Sequence, residues 1–193
     1  HKLLLSISHD IKTPLNSILG TIELKETKND FLSDEIRTMK DSGQYILALL
    51  GNLLEFSSIE QGTSNISNRI FNLRDLCQQI VEMFIPLANK KKLKLYYTFG
   101  FDENLILSSD SLKIKQILIN ILSNSIKYTS EGSVQFDVKY SNSILYCIIE
   151  DTGVGIPENQ IKDIFLPFSR IDQNSHLSEG SGFGLYVVKG LVD

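Results

Sequence analysis

Apolar residues recur at steps of three and four through the opening segment: Leu4, Ile7, Ile11, Leu15, Ile18 and Ile22. That spacing predicts one long helix with a heptad seam, Leu4, Ile11 and Ile18 taking one core position and Ile7 the other. A polar break follows at Thr27 to Asp30. Ser33 can then cap a second helix, with Asp34 and Glu35 at its positive end. Ile36, Met39, Gly43, Ile46, Leu50 and Leu53 keep the same rhythm to about Glu60, and Gly62 can close the helix in a left-handed conformation. The pattern predicts an α-helical hairpin over residues 1–62. Two helices cannot cover their own seam, so a symmetric dimer forming a four-helix bundle is expected.

Residues 63–69 carry no apolar period and read as a linker. From residue 70 to 193 the pattern becomes mixed α/β. Asn72 can cap a helix with Leu73, Leu76, Cys77, Ile80, Phe84 and Leu87 inward. Leu93, Leu95, Tyr97 and Phe99 alternate as a half-buried strand. Asp110 opens a helix to about Lys127, with Ile114, Ile117, Leu118, Ile121 and Leu122 on its core side. Val134, Phe136, Val138 and Tyr140 alternate with Ser133, Gln135, Asp137 and Lys139, which predicts a second strand. Ser141 to Ser143 reads as a hairpin turn, and the unbroken apolar run Ile144 to Ile149 as a central strand. A short helix after Pro157, a polar loop from Ser169 to Gly182 and a helix from about Phe183 complete the chain.

Composition narrows the function classes. With 193 residues, 42% hydrophobic and 22% charged, the chain can bury an ordinary globular core. A net charge of -4 supplies no basic field, which argues against a nucleic-acid partner. Cys77 and Cys147 match no metal-ligand spacing and read as ordinary buried thiols of a reducing compartment. No apolar run approaches the roughly 18 residues that span a bilayer, so no membrane contact is expected of this stretch. The sequence starts and stops inside apolar-periodic segments, which suggests a piece of a longer protein.

The chemistry begins in the first helix. His9 falls on the face away from the seam, together with Lys12, Thr13 and Asn16. Pro14 cannot donate to the carbonyl of Asp10 and crowds it, at a cost of about 3 kcal/mol, so a kink is expected beside His9. In the Asp110 helix, Asn120, Asn124 and Lys127 share one stripe; carboxamide oxygens can ligate Mg2+ and a lysine can meet phosphate. A solvated polar face would look the same. Asp151-Thr152-Gly153-Val154-Gly155 follows a strand, where its glycines allow close backbone approach to a ligand. Gly180-Ser181-Gly182-Phe183-Gly184 opens a helix whose amides suit a phosphate. Neither glycine box matches a dinucleotide fingerprint or a P-loop.

The order of these elements resembles the transmitter core of a bacterial sensor histidine kinase: an outward His, Asn-x-x-x-Asn, Asp-x-Gly-x-Gly after a strand, and Gly-x-Gly-x-Gly before a helix. Ile164 to Phe168 lies between the two glycine boxes, as it does in that family. The resemblance covers essentially the whole chain. It implies a dimerisation and histidine phosphotransfer hairpin followed by an α/β two-layer sandwich of the Bergerat type, the ATP-binding fold shared with gyrase, Hsp90 and MutL. In that family the fold continues past the last glycine box with two more strands. The catalytic domain over 70–193 is therefore expected to be truncated at its C-terminus.

By the same resemblance, His9 is the phosphoacceptor, Asp10 accepts its imidazole proton, and Thr13 positions water for dephosphorylating a partner. Asn124 is the Mg2+ ligand, with Asn120 supporting it. Lys127 meets phosphate, and Tyr128 walls the adenine or ribose. Asp151 reads the adenine amino group in a pocket shaped by Gly153 and Gly155. Residues 169–182 are the ATP lid, with Gly180, Gly182 and Gly184 at its phosphate-binding end. ATP-hydrolysing relatives in the wider superfamily carry a glutamate where this chain has Asn120, a poor base, so bound ATP should await His9.

The implied function is autophosphorylation on His9 with ATP and Mg2+, then phosphoryl transfer to an aspartate of a response-regulator receiver domain, with phosphatase activity toward that regulator. The implied setting is a cytoplasmic module, acting as a homodimer, in a membrane-anchored parent. Two alternatives stay open to the sequence. One is a catalytically silent nucleotide-binding scaffold. The other is an enzyme whose phosphatase activity dominates through Thr13.

Overall fold

The computed structural model describes residues 66–167, 169 and 182–192, together with the isolated helical positions Ile11, Ile18 and Ile46. All three isolated positions lie in the segments whose periodicity predicts helix. The rest of the hairpin, the kink at Pro14, the caps at Ser33 and Gly62 and most of the expected lid lie outside the described residues.

The α/β part begins with β1 (Arg69–Asn72), whose first residue is the last of the expected linker. Helix α1 (Leu73–Lys90) follows at once, because Asn72 is extended and its side chain accepts the N–H of Asp75 at 3.1 Å. Next come β2 (Lys94–Gly100), β3 (Ile106–Ser109) and α2 (Ser111–Tyr128). Strands β4 (Ser133–Ser141) and β5 (Ile144–Asp151) form a hairpin, two 3-10 turns cover Glu158–Gln160 and Asp163–Phe165, and α3 (Gly184–Val192) closes the series. The turn between β4 and β5 is the expected one: Asn142 and Ser143 both take positive φ, 53° and 62°, the handedness that matches the strand twist.

The strands form two sheets. β1 pairs antiparallel with β3, a pairing that alternation alone does not reveal. In the larger sheet the order is β2-β4-β5, parallel between β2 and β4 and antiparallel between β4 and β5. Helices α1 and α2 pack on one face of it. There Val134, Phe136 and Val138 are fully buried against Leu73, Ile80, Phe84, Leu118 and Leu122. Burial of each such side chain stabilises the fold by about 1.5–3 kcal/mol.

Among the described residues the larger sheet has β4, with its plain alternation, in the middle, while β5 pairs with β4 and leaves Ile144, Tyr146 and Ile148 exposed. Two expectations need correction. In α1 the inward position after Phe84 is Ala88, not Leu87, because the true helical stripe advances by four there and leaves Leu87 exposed. Finally, only Cys77 is a buried thiol, while Cys147 on β5 is exposed. Burial, with the nearby Cys147 adding to it, pushes the Cys77 thiol up to about 12, so it stays protonated and inert.

Candidate functional site

Helix α2 is the element on which the candidate site is built. Its start is fixed by Asp110, a buried N-cap that accepts Lys113 N–H at 3.1 Å and Ser67 N–H at 2.8 Å. Burial opposes the charge of Asp110. The backbone N–H groups of Ser67, Lys113 and Leu112, with the Lys113 charge, outweigh that and hold its carboxyl below the usual range. One carboxylate thereby ties the chain just before β1 to the first turn of α2.

Leu118, Leu122, Ser125 and Ile126 face inward. Ile114 packs against the core, whereas Ile117 and Ile121, expected on the core side, are only half-buried. This leaves Asn120, Asn124 and Lys127 along a half-buried stripe and Tyr128 largely exposed. The Lys127 ammonium sits 4.8 Å from the centre of the Tyr128 ring, a cation–π contact.

Two carbonyls in the last turn of α2 accept from residues beyond the helix. Thr129, fully buried, donates its hydroxyl and its N–H to Ser125 O at 2.6 and 3.2 Å. Tyr128 O accepts Val154 N–H at 3.4 Å. That last bond docks the Asp151–Gly155 turn against the helix end. A β-carbon at Gly153 would lie 2.6 Å from Tyr128 O, so only glycine allows the approach.

The other side of the same turn is held by Thr152. Its N–H reaches Ser133 O at 3.1 Å, and its hydroxyl accepts Ser133 N–H at 3.0 Å. Gly132 makes room, since a β-carbon there would meet the Thr152 hydroxyl. Asp151 closes the turn on itself, one carboxylate oxygen accepting Gly153 N–H at 2.9 Å. Gly155 has φ +70 with open space around it, so it is needed for conformation and not for contact.

The third edge is the start of α3. Gly182 turns left-handed, φ 72°, and Phe183 anchors in the core. Gly184 then stands over the middle of α2, where a β-carbon would contact Asn120 Oδ1 at 3.4 Å. The Nδ2 of Asn120 is buried and has no hydrogen-bond partner among the described residues. A buried donor left this way costs about 1–3 kcal/mol, which an anionic oxygen would recover. The helix N-terminus beside it favours the same charge.

The structure thus brings Asn120, Gly182 and Gly184 together at one edge and Tyr128, Asp151, Gly153 and Gly155 at another, with Asn124 and Lys127 on the helix between. His9, Asp10, Thr13 and Gly180 lie outside the described residues. Sequence reasoning missed Thr129 and Lys91, whose ammonium also reaches this helix end. Thr129 directly follows the polar stripe and is legible as a cap; nothing distinguishes Lys91 within Lys90-Lys91-Lys92.

Comparison with known proteins gives two family matches. Residues 1–62 match the His Kinase A (phospho-acceptor) domain, and residues 109–193 match the histidine kinase-, DNA gyrase B- and HSP90-like ATPase. The autoinducer 2 sensor kinase/phosphatase LuxQ of Vibrio parahaemolyticus is 34% identical over 204 residues, covering 98% of this chain and 23% of that protein. The sensor protein GacS of Pseudomonas syringae is 35% identical over 202 residues, covering 100% of this chain and 22% of that protein. The chain therefore spans under a quarter of the length of these relatives. In fold it is similar to the histidine kinase AdeS of Acinetobacter baumannii, with a TM-score of 0.63 at 19% identity over 95% of this chain and 85% of that one.

Proposed function

The chain belongs to the sensor histidine kinases, as a phosphoacceptor domain followed by a histidine kinase-type ATPase domain, and on that premise we propose the division of labour among its residues. Residues 1–62 form the dimerising phosphoacceptor hairpin, 63–69 the linker and 70–193 the ATP-binding domain. ATP lies along α2 between its two glycine-rich edges. Asp151 keeps one carboxylate oxygen for the adenine amino group while the other holds its own turn. Tyr128 walls the base or ribose. Asn120, Lys127 and the amides at Gly182 and Gly184 meet the phosphates, and Gly180 belongs to the same phosphate-binding end. Asn124 would ligate Mg2+, which when bound neutralises charge on the triphosphate.

The neutral imidazole of His9 attacks the γ-phosphorus, the bond to the β-phosphate oxygen breaks, and ADP leaves. Asp10 takes the imidazole proton. The phosphoryl group then passes to an aspartate of a response-regulator receiver domain, and Thr13 supports its later hydrolysis. The observation that carries this reading is the Nδ2 of Asn120, buried beside the N-terminus of α3 and without a hydrogen-bond partner among the described residues. It is a donor awaiting an anion, in a chain with no glutamate base at that position. The test is γ-labelled ATP with Mg2+. Acid-labile, base-stable label on the wild type, absent from His9→Gln, is the expected result.

A further inference from the structure

Lys91 has no part in the reading above, yet its ammonium makes three hydrogen bonds at the end of α2. Nζ donates to the carbonyls of Ile126 at 2.8 Å, Lys127 at 2.7 Å and Thr129 at 3.2 Å. A lysine has three N–H donors, so its capacity is filled. The last carbonyls of a helix lack partners within it and carry its partial negative charge, which makes a cation the favoured cap. The backbone N–H of Lys91 meanwhile closes α1, reaching Ala88 O at 3.1 Å and Leu87 O at 3.3 Å. One residue therefore caps two helices, and it fastens the end of α1 to the end of α2.

The carbonyl that Lys91 passes over is that of Tyr128. That oxygen accepts Val154 N–H and abuts Gly153 with no room for a β-carbon. Lys91 thus holds the carbonyls on both sides of the one against which the Asp151–Gly155 turn is docked. We infer that Lys91 is a positioning residue for the nucleotide: it fixes the last turn of α2, and through Tyr128 O it fixes the turn that carries Asp151. The inference rests on the proposed reading of that turn as the adenine edge. Neighbouring lysines do not share the role, since Lys90 is the last residue of α1 and Lys92 reverses the chain with φ 60°.

The test compares wild type, Lys91→Met and Lys91→Arg in the full chain, at a temperature where circular dichroism shows all three folded. Affinity for a fluorescent ATP analogue with Mg2+ is measured, and amide hydrogen exchange is followed at Val154 and Thr129, with Phe136 in β4 as reference. Lys91→Met should bind about tenfold more weakly and exchange about tenfold faster at Val154 and Thr129, with Phe136 unchanged; Lys91→Arg should recover most of both. Unchanged affinity in Lys91→Met overturns the inference, as does equal acceleration at Phe136, which would mark a merely structural role. A wild type that binds no nucleotide would be a failure of the ATP reading instead. The exchange comparison then still decides whether Lys91 holds the turn.

Discussion

The carbonyl oxygen of Tyr128 and the α-carbon of Gly153 stand so close that a β-carbon on residue 153 would lie 2.6 Å from that oxygen. The helix end and the strand-following turn are thereby built as one piece. Neither partner can retreat easily. Tyr128 is flanked by carbonyls that Lys91 holds, and the turn is pinned from behind by Thr152 on Ser133.

Gly153→Ala should therefore be among the most damaging small substitutions in the domain. The added carbon also meets Asp151 Oδ1 at 2.9 Å, the oxygen that closes the turn. Overpacking of this kind costs about 1–3 kcal/mol. Thermal melting should fall accordingly, and nucleotide affinity should drop by at least about tenfold in a titration of the folded protein.

Gly155→Ala separates strain from contact. Its φ of +70 disfavours any side chain, but nothing lies within 4 Å of the added carbon. The cost is about 1–2 kcal/mol of backbone strain. Melting should fall by a few degrees, with a smaller loss of nucleotide affinity than Gly153→Ala produces. The reverse ranking in the same titration would contradict this picture of the turn.

Asp110 predicts a pH dependence. Its carboxyl is held below the usual range by the N–H groups it receives, in spite of burial. A depressed value in the folded state means stability that is fully present above the unfolded value of about 3.9 and lost as pH falls through the folded one. Asp110→Ala should cost about 1–3 kcal/mol at pH 7 in urea unfolding, having removed the cap and orphaned Ser67 N–H. The gap between the two proteins should narrow below about pH 3.9. An equal gap at pH 7 and pH 3 would show that the ionised carboxylate is not its source.

Asp151→Asn tests the adenine edge without disturbing the fold. A carboxamide oxygen can still accept Gly153 N–H, so the turn should persist and melting should change little. The remaining atom becomes a donor facing a donor. Affinity for ATP should fall by about a hundredfold, while an analogue lacking the exocyclic amine should lose its disadvantage. Isothermal titration with both nucleotides reads the outcome.

Local signals in the sequence survived well. Asn72 caps the helix it was expected to cap and Asp110 stands at the start of the one it was expected to open, because an N-cap bond closes within three residues. The alternation of β4 was legible because one face is buried throughout its centre. Features set by distant partners were not. The β1–β3 pairing joins segments separated by a whole helix. Of the candidate site, the glycine positions could be read from their spacing; Gly155 and Gly182 answer to positive φ, while Gly153 answers to the close approach of Tyr128 O. Lys91 could not, since its three acceptors lie some 35 to 38 residues away and it stands in a run of three lysines.

The central claim, that the ATP edge described here serves His9, is tested most directly by labelling the full chain with γ-labelled ATP and Mg2+, alone and with His9→Gln. Acid-labile, base-stable label on the wild type that disappears in His9→Gln, with ATP affinity unchanged in that variant, is the predicted result. Label of undiminished intensity in His9→Gln, or none on a wild type that binds ATP, would contradict it.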